Sequence, residues 1–450
     1  MRMPNIRQLS EEQLDIFEDA PIDGSILVSG PPGTGKTVIA FLRAQRLAKR
    51  NIDITVLMFN RVLRKYTENI ASDISGNVQS KTMHSWLPKW WLQHRIDNNE
   101  SEKVYINCPF EEKEALKAIG GKWDKHKRNP FTNGKGMWFI PQELYHSNPE
   151  AYSAWERASF DPPEIQQWQY NWMKMLDLYL NQPPESMHDW GHLILDEAQD
   201  FEPELFTFLN LVSKQLDKGG ITVLADENQR LEENRNSSLD EIRANLKITR
   251  KPEREFRLTV NFRNTCQIAK VASYFYVGLA TGMPNPPSRQ GSKPVMVFTT
   301  DTDAQIEYIC RSLRNRASVE VGVIVDNDAD RELFTREIAR RLPNYRVQTY
   351  SSREYRQSES LQFDRQGVVT VIHRKSCKGL EFDSVFIPQL QLFSVDDRDL
   401  TTFKMNLYVM CSRARNELVF LCNGGTDTNH AFFKHFPDRT SGLVEYREQI

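Results

Sequence analysis

Cysteine is scarce in this 450-residue chain. The six present, Cys108, Cys266, Cys310, Cys377, Cys411 and Cys422, form no CxxC pair and have no histidine at zinc-site spacing. That excludes a disulfide framework and a zinc finger, and leaves buried free thiols in a reducing compartment as the reading. No stretch approaches the ~20 apolar residues that a bilayer-spanning helix needs, and no apolar signal core follows the opening MRMPNIRQLSEEQ. The expectation is a soluble, cytoplasmic protein with no membrane partner. An excess of one charge sign is missing too. With 58 Lys plus Arg against 60 Asp plus Glu the net charge is -2, which excludes a uniformly basic coat but leaves room for a local basic groove. Tryptophan is absent from both flanks: all nine lie between Trp86 and Trp190. An even scatter would not do that, so the middle third reads as a separate module.

What is present is a chain able to fold. An apolar share of 39% with 10% aromatics excludes wholesale disorder, and the length suits two to four domains. An apolar run at 25–28 leads into Gly30-Pro31-Pro32-Gly33-Thr34-Gly35-Lys36-Thr37 and then a helical pattern at 38–47. Further strand candidates are 54–59, a short one near Val78, 192–195 running into Asp196-Glu197-Ala198-Gln199-Asp200, and 221–225 ending at Asp226. The second half repeats the style, with strands at 295–298, 319–325, 368–372, 385–387 and 418–421. Helical patterns fall at 304–313, 331–342 and 405–414, and 351–360 reads as a polar loop. Acidic or phosphate-binding residues at the carboxyl ends of strands predict α/β domains with parallel sheets, whose ligands lie at that edge.

The run GPPGTGKT fits GxxxxGKT without a gap, in the strand–loop–helix setting the motif requires. Its glycines let backbone N–H groups turn inward around a β-phosphate. Lys36 reaches the β and γ oxygens, and the Thr37 hydroxyl serves Mg²⁺. Gly30, Gly33, Thr34, Gly35, Lys36 and Thr37 are therefore the cofactor-binding candidates. Binding a nucleoside triphosphate does not by itself mean hydrolysis. That chemistry points to Asp196, which can hold the metal, and Glu197, which can polarise the attacking water.

The order of motifs resembles superfamily 1 helicases of the UvrD/Rep group, over about residues 9–84 and 190–423. Gln13 is similar to the glutamine that reads adenine. Phe59 and Asn60, with Thr82 and His84 of Thr-x-His, resemble segments that touch single-stranded DNA. DEAQD at 196–200 is the most specific word. Gln229 resembles the γ-phosphate sensor, and Arg263 of Asn261-Phe262-Arg263-Asn264 resembles an arginine that meets that phosphate. Glu381 in Lys378-Gly379-Leu380-Glu381-Phe382-Asp383 is similar to a nucleotide-sugar contact, and Arg413 resembles the second phosphate arginine. The resemblance implies two RecA-like P-loop NTPase domains, the first from 1–84 and 186–255 and the second from 256–450. A small α+β insert, 85–185, sits in the first. The implied catalytic residues are Lys36, Asp196, Glu197, Gln229, Arg263 and Arg413, with ATP and Mg²⁺ as cofactors.

Two departures matter. The stretch after Gln229, residues 230–235, carries no aromatic where motor members stack bases, and Lys375 stands where the family has a histidine. Residues 264–377 leave little room for a second accessory domain. The insert itself resembles a small domain attached to primases and plasmid-transfer proteins. Between Lys113 and Lys135 it holds seven Lys or Arg against Glu114 and Asp124, interleaved with Trp123 and Trp138. That pattern suits a backbone-plus-stacking contact; a small core solvated by lysines is the other reading. On this view Trp123 is core and Trp138 the nucleic-acid contact, while Trp155, Trp168, Trp172 and Trp190 fall on helices. The expected function is ATP-driven binding and 3′-to-5′ translocation on single-stranded or partly duplex DNA, with a nuclease or sensor subunit as partner in repair or anti-phage defence. A regulatory ATP switch and an RNA-directed enzyme are the alternatives.

Overall fold

The computed structural model describes residues 8–59, 61–74, 76–96, 98, 102–129, 132, 134–158, 160–166, 169–182, 188–229, 236–314, 319–351, 357–363, 365–393, 395, 399–425 and 430–448. The chain divides into one unit of Met1–Thr82, Gly191–Pro203 and Lys218–Ile450, and another of Met83–Trp190 and Glu204–Asp217.

The first unit holds two sheets. One has six strands in the order Glu255–Arg257, Ser25–Ser29, Gly220–Ala225, His192–Asp196, Ile54–Met58, Val78–Thr82. The other has seven: Arg346–Tyr350, Val368–His373, Glu320–Val325, Phe382–Ile387, Ala414–Asn423, Val295–Thr299, Glu445–Glu448. Every neighbouring pair in both is parallel. This is the expected α/β class, consistent with two RecA-like domains.

The inner strands form because parallel sheets are covered on both faces, so continuous apolar runs are what they need. SILVS, HLILD and GITVLA are buried at every position. Three of the four outer strands escaped the sequence reading for the same reason. Glu255–Arg257, Arg346–Tyr350 and Glu445–Glu448 are partly exposed and polar, so they leave no apolar run. Glu255–Arg257 also carries the first sheet past residue 255, where the sequence reading ended it. The helix expected at 405–414 runs instead over Leu400–Cys411, and Ala414 already opens a strand. Residues 352–356 of the expected loop at 351–360 lie outside the described residues.

One apolar cluster runs through both layers of this unit, from Ile26, Phe41 and Val56 to Met296, Ile372 and Phe420. The alternate residues Val297, Val323, Val371 and Leu421 pack on the other face of the seven-stranded sheet, with Ile309 and Phe334. Beneath the six-stranded sheet lies a polar knot. Arg43, almost fully buried, donates to Thr222 Oγ1 (2.8 Å) and to the carbonyls of Ala20 and Pro21, and His192 Nε2 meets the same hydroxyl at 2.8 Å.

The second unit carries an antiparallel sheet ordered Lys122–Arg128, Lys135–Pro141, Lys103–Asn107, Glu156–Arg157. Its helices include Met83–Gln93 and Trp172–Asn181. An aromatic cluster joins them: Trp90 lies 5.6 Å from Trp86, 6.2 Å from Tyr179, 5.5 Å from Trp190 and 6.2 Å from Phe208, and its Nε1 donates to the His188 carbonyl. Of the described tryptophans expected on helices only Trp172 is on one. Trp155 sits just after a 3-10 turn, held by Glu112, Trp190 precedes a strand, and Trp168 lies outside the described residues.

Two measurements check these cores. Burial, and then the Arg43 charge, push His192 down to about 3. The unfolded chain therefore takes up a proton below pH ~6.5 that the folded chain refuses, so stability falls as pH drops through that value. Between pH 7 and 5 this removes about 2 kcal/mol. Denaturant unfolding of His192→Gln should show an acid limb flatter by that amount. Trp90→Ala, in the aromatic cluster, should cost about 3–5 kcal/mol in the same assay.

Candidate nucleotide site

The loop between the Ser25–Ser29 strand and the Lys36–Ala48 helix has two left-handed glycines, Gly33 (φ +84°) and Gly35 (φ +83°). Both are also crowded. A Cβ would lie 2.4 Å from Asn261 Oδ1 at Gly33 and 2.7 Å from Gln13 Nε2 at Gly35. Only glycine fits either place. The turn leaves the first-turn N–H groups of a 13-residue helix open at the loop, the arrangement that suits a phosphate. Lys36 is buried, with Nζ 2.6 Å from the Gly30 carbonyl, 3.2 Å from that of Pro31 and 3.5 Å from Asp226 Oδ2. Gln13 ends a capping box with Ser10 and donates to the Thr34 carbonyl at 3.0 Å.

The six-stranded sheet delivers carboxylates to the same edge. Thr37 Oγ1 donates to Asp196 Oδ2 at 2.6 Å, so the hydroxyl and the carboxylate point at one spot. Glu197 takes a left-handed conformation (φ +53°), a strain of about 1–3 kcal/mol for a residue with a Cβ. Its carboxylate accepts from Gln199 at 2.7 Å. Burial, aided by the Glu197 charge, raises Asp196 to about 6 against the pull of Thr37 and Lys36. Glu197 moves the other way: burial opposes ionisation, but Lys378 and Lys36 outweigh it. Gln229 donates to Asp226 at 2.6 Å and accepts from Arg413 at 2.7 Å.

The seven-stranded sheet and its approach supply the cations. Arg413 is fully buried, Arg263 donates to Glu381 Oε1 at 2.6 Å, and Arg415 donates to Glu381 Oε2 at 2.8 Å. Burial opposes ionisation of Glu381, yet the two guanidinium groups hold it down to about 2. Lys378, wholly buried, donates to both Asp200 oxygens at 2.7 and 2.6 Å and lies 3.7 Å from Glu197. A narrow cleft is lined by Lys36, Thr37, Glu197, Gln229, Arg263, Glu381 and Arg413, together with loop glycines.

Residues 13–235 match the family described as an AAA domain. The chain carries a P-loop NTPase domain. No curated protein matches it. Among solved structures, the C-terminal domain of a possible DNA helicase from Lactobacillus plantarum WCFS1 is similar at 20% identity over 42% of this chain and 99% of that one, with a TM-score of 0.31, a likeness too slight to carry any argument.

The P-loop NTPase domain binds a nucleoside triphosphate, and its residues fit a magnesium ion of the kind that arrives with one. Among the described residues no three His, Cys, Asp or Glu side chains form a metal cage. One carboxylate, one hydroxyl and the substrate's phosphates are what Mg²⁺ commonly uses. Sequence reasoning missed two participants here. Asp200 and Lys378 lay in the quoted motifs without a role, because only the fold brings them together. Phe262, 49% exposed, is tied to the loop by its N–H on the Gly33 carbonyl (2.9 Å) and presents an aromatic face beside it.

The nucleic-acid candidates are placed less uniformly. Phe59 follows the Ile54–Met58 strand, exposed and edge-on to Phe201 at 5.5 Å. Thr82 ends its strand buried, and Lys375 is exposed just beyond the Val368–His373 strand. His84, in the second unit, packs on Tyr170 at 5.4 Å. Asn60 and residues 230–235 lie outside the described residues. Trp123, expected in the core, is a correction: it is 51% exposed, whereas the partly buried Trp138 packs against the small core of Ile106, Leu116 and Ile140. Trp138 is on a strand with neighbours on both sides and Trp123 on the edge strand, so the two exchange the positions the sequence suggested.

Lys378→Met should lower stability by about 3–5 kcal/mol, because it strands Asp200 and Glu197 buried without their cation. Asp200→Asn added to it should recover part of the loss in the same unfolding experiment.

Proposed function

We propose that the chain is an ATPase whose hydrolysis is coupled to binding and translocation on single-stranded DNA, with 3′-to-5′ polarity and duplex unwinding as the resemblance to UvrD/Rep helicases implies. The observation that carries this reading is the cleft itself. Lys36, Thr37, Glu197 and Gln229 enter from the first sheet, and Glu381 and Arg413 from the second. In this reading Lys36 and the loop hold the triphosphate of ATP, and Thr37 with Asp196 holds Mg²⁺. Glu197 orients the water, while Arg263 and Arg413 stabilise charge developing on the γ-phosphate. Gln229, bonded to Arg413, links the γ-phosphate position to the second sheet. Residues that straddle two sheets make hydrolysis sensitive to their separation, as a motor requires.

Nucleic acid would run along the carboxyl edges, past Phe59, Thr82 and Lys375. The described residues between 264 and 377 supply strands of the seven-stranded sheet and its helices, which suits a compact member without a second accessory domain. A partner subunit such as a nuclease or sensor would then provide what the chain lacks. One observation favours a second reading, a nucleic-acid-responsive switch that does not step: a single apolar cluster joins the layers of both sheets.

ATP turnover measured with and without single-stranded DNA or RNA is the deciding experiment. Stimulation of tenfold or more is expected, and a flat response to both polymers would sink the proposal. Duplex unwinding against a length series separates motor from switch. Arg413→Ala should leave ATP binding near normal and cut turnover by a factor of about 10³, the scale of an arginine finger. Arg413→Lys controls for the loss of a buried side chain.

A further inference from the structure

The sheet of the second unit has an aromatic that its core does not need. Trp123 lies on the edge strand Lys122–Arg128, opposite Trp138 on the next strand, with the ring centroids 5.2 Å apart and edge-on. Gly136 forms its seat: a Cβ there would lie 2.0 Å from the indole. The ring is thus held from behind and beneath, yet half its surface faces solvent. A floppy side chain would lose entropy on stacking; a ring fixed in this way loses little.

The charge around it is unbalanced. Lys103 is paired with Asp124 and Lys127 with Asp161. Lys122, Lys125 and Lys135 are exposed and meet no carboxylate at ion-pair distance among the described residues. Lys117 approaches the Trp138 ring at 5.9 Å, and Phe110, 73% exposed, carries the Lys113 ammonium 3.6 Å from its ring centre.

We infer that this face of the inserted sheet is a second nucleic-acid contact, in which Trp123 stacks on a base and the exposed Lys125 meets a flanking phosphate of a single strand. An acidic peptide would satisfy the lysines but leave the indole face without a planar partner; a phosphodiester strand supplies both. The surface rests on the nucleic-acid half of the proposed function and not on hydrolysis.

The test is fluorescence anisotropy of the full chain with fluorescein-labelled dT20 and U20, without nucleotide, from 50 to 200 mM salt. Trp123→Ala should weaken binding about tenfold and Trp123→Phe restore most of it. Lys125→Ala should make the log–log salt slope shallower by about 0.7, the share of one phosphate on a single strand. Melting temperatures matching the parent show that each variant folds. Preference for dT20 or U20 identifies the polymer, and Trp123-dependent binding of either supports the surface. Binding that ignores both the tryptophan and the lysine changes, or no binding of either strand, overturns it. Trp123-dependent binding with flat ATP turnover would refute the coupled ATPase and leave this surface standing.

Discussion

Lys378 on Asp200 is the contact on which the nucleotide site depends. The ammonium leaves the turn after the Val368–His373 strand and reaches the acidic turn at the end of the His192–Asp196 strand, both groups buried. A buried ion pair of this kind adds little net stability, since desolvating two charges offsets most of their attraction. What it does is fix position. Lys378 stands 3.7 Å from Glu197 as well, so the lysine that joins the two sheets also sets the ionisation of that carboxylate. Burial alone would raise Asp200, and does so to about 7, while Lys378 opposes it.

Each cation in the rest of the cleft is likewise held by a partner, charged or neutral. Lys36 rests on its own loop carbonyls, Arg263 is held by Glu381, and Arg413 by Gln229. Four acidic side chains, Asp196, Glu197, Asp200 and Asp226, are packed among these cations with almost no water access. In the proposed reading an incoming triphosphate would displace these partners, and Lys36, Arg263 and Arg413 already line the cleft that would receive it. The Glu381 clamp gives this a direction: the carboxylate that the family resemblance assigns to the nucleotide sugar is the group that restrains Arg263.

The inserted unit obeys a different rule. Its tryptophans divide into a buried cluster around Trp90, which fills the space between helices, and a pair on the small sheet, of which only one ring is covered. A sheet this small has too few apolar neighbours to bury an edge tryptophan fully. The one left out has near it in the chain the exposed Lys122 and Lys125, which meet no carboxylate at ion-pair distance among the described residues.

The sequence by itself determined the strand–loop–helix at 25–48, the acidic strand ends, and the roll of candidate residues. Those features depend on local order: glycines where a turn needs φ > 0, apolar runs where a strand is covered twice. It also fixed the α/β class, because only parallel sheets place such ends on one edge. The tertiary structure alone decided which side chains meet. Asp200 and Lys378 are 178 positions apart, and Arg413 and Gln229 are 184 apart, distances over which no periodicity carries information. It decided, too, that Trp123 is exposed and Trp138 covered. Both have the same residue type and fall in one short segment, and strand order, edge against interior, sets which ring is covered.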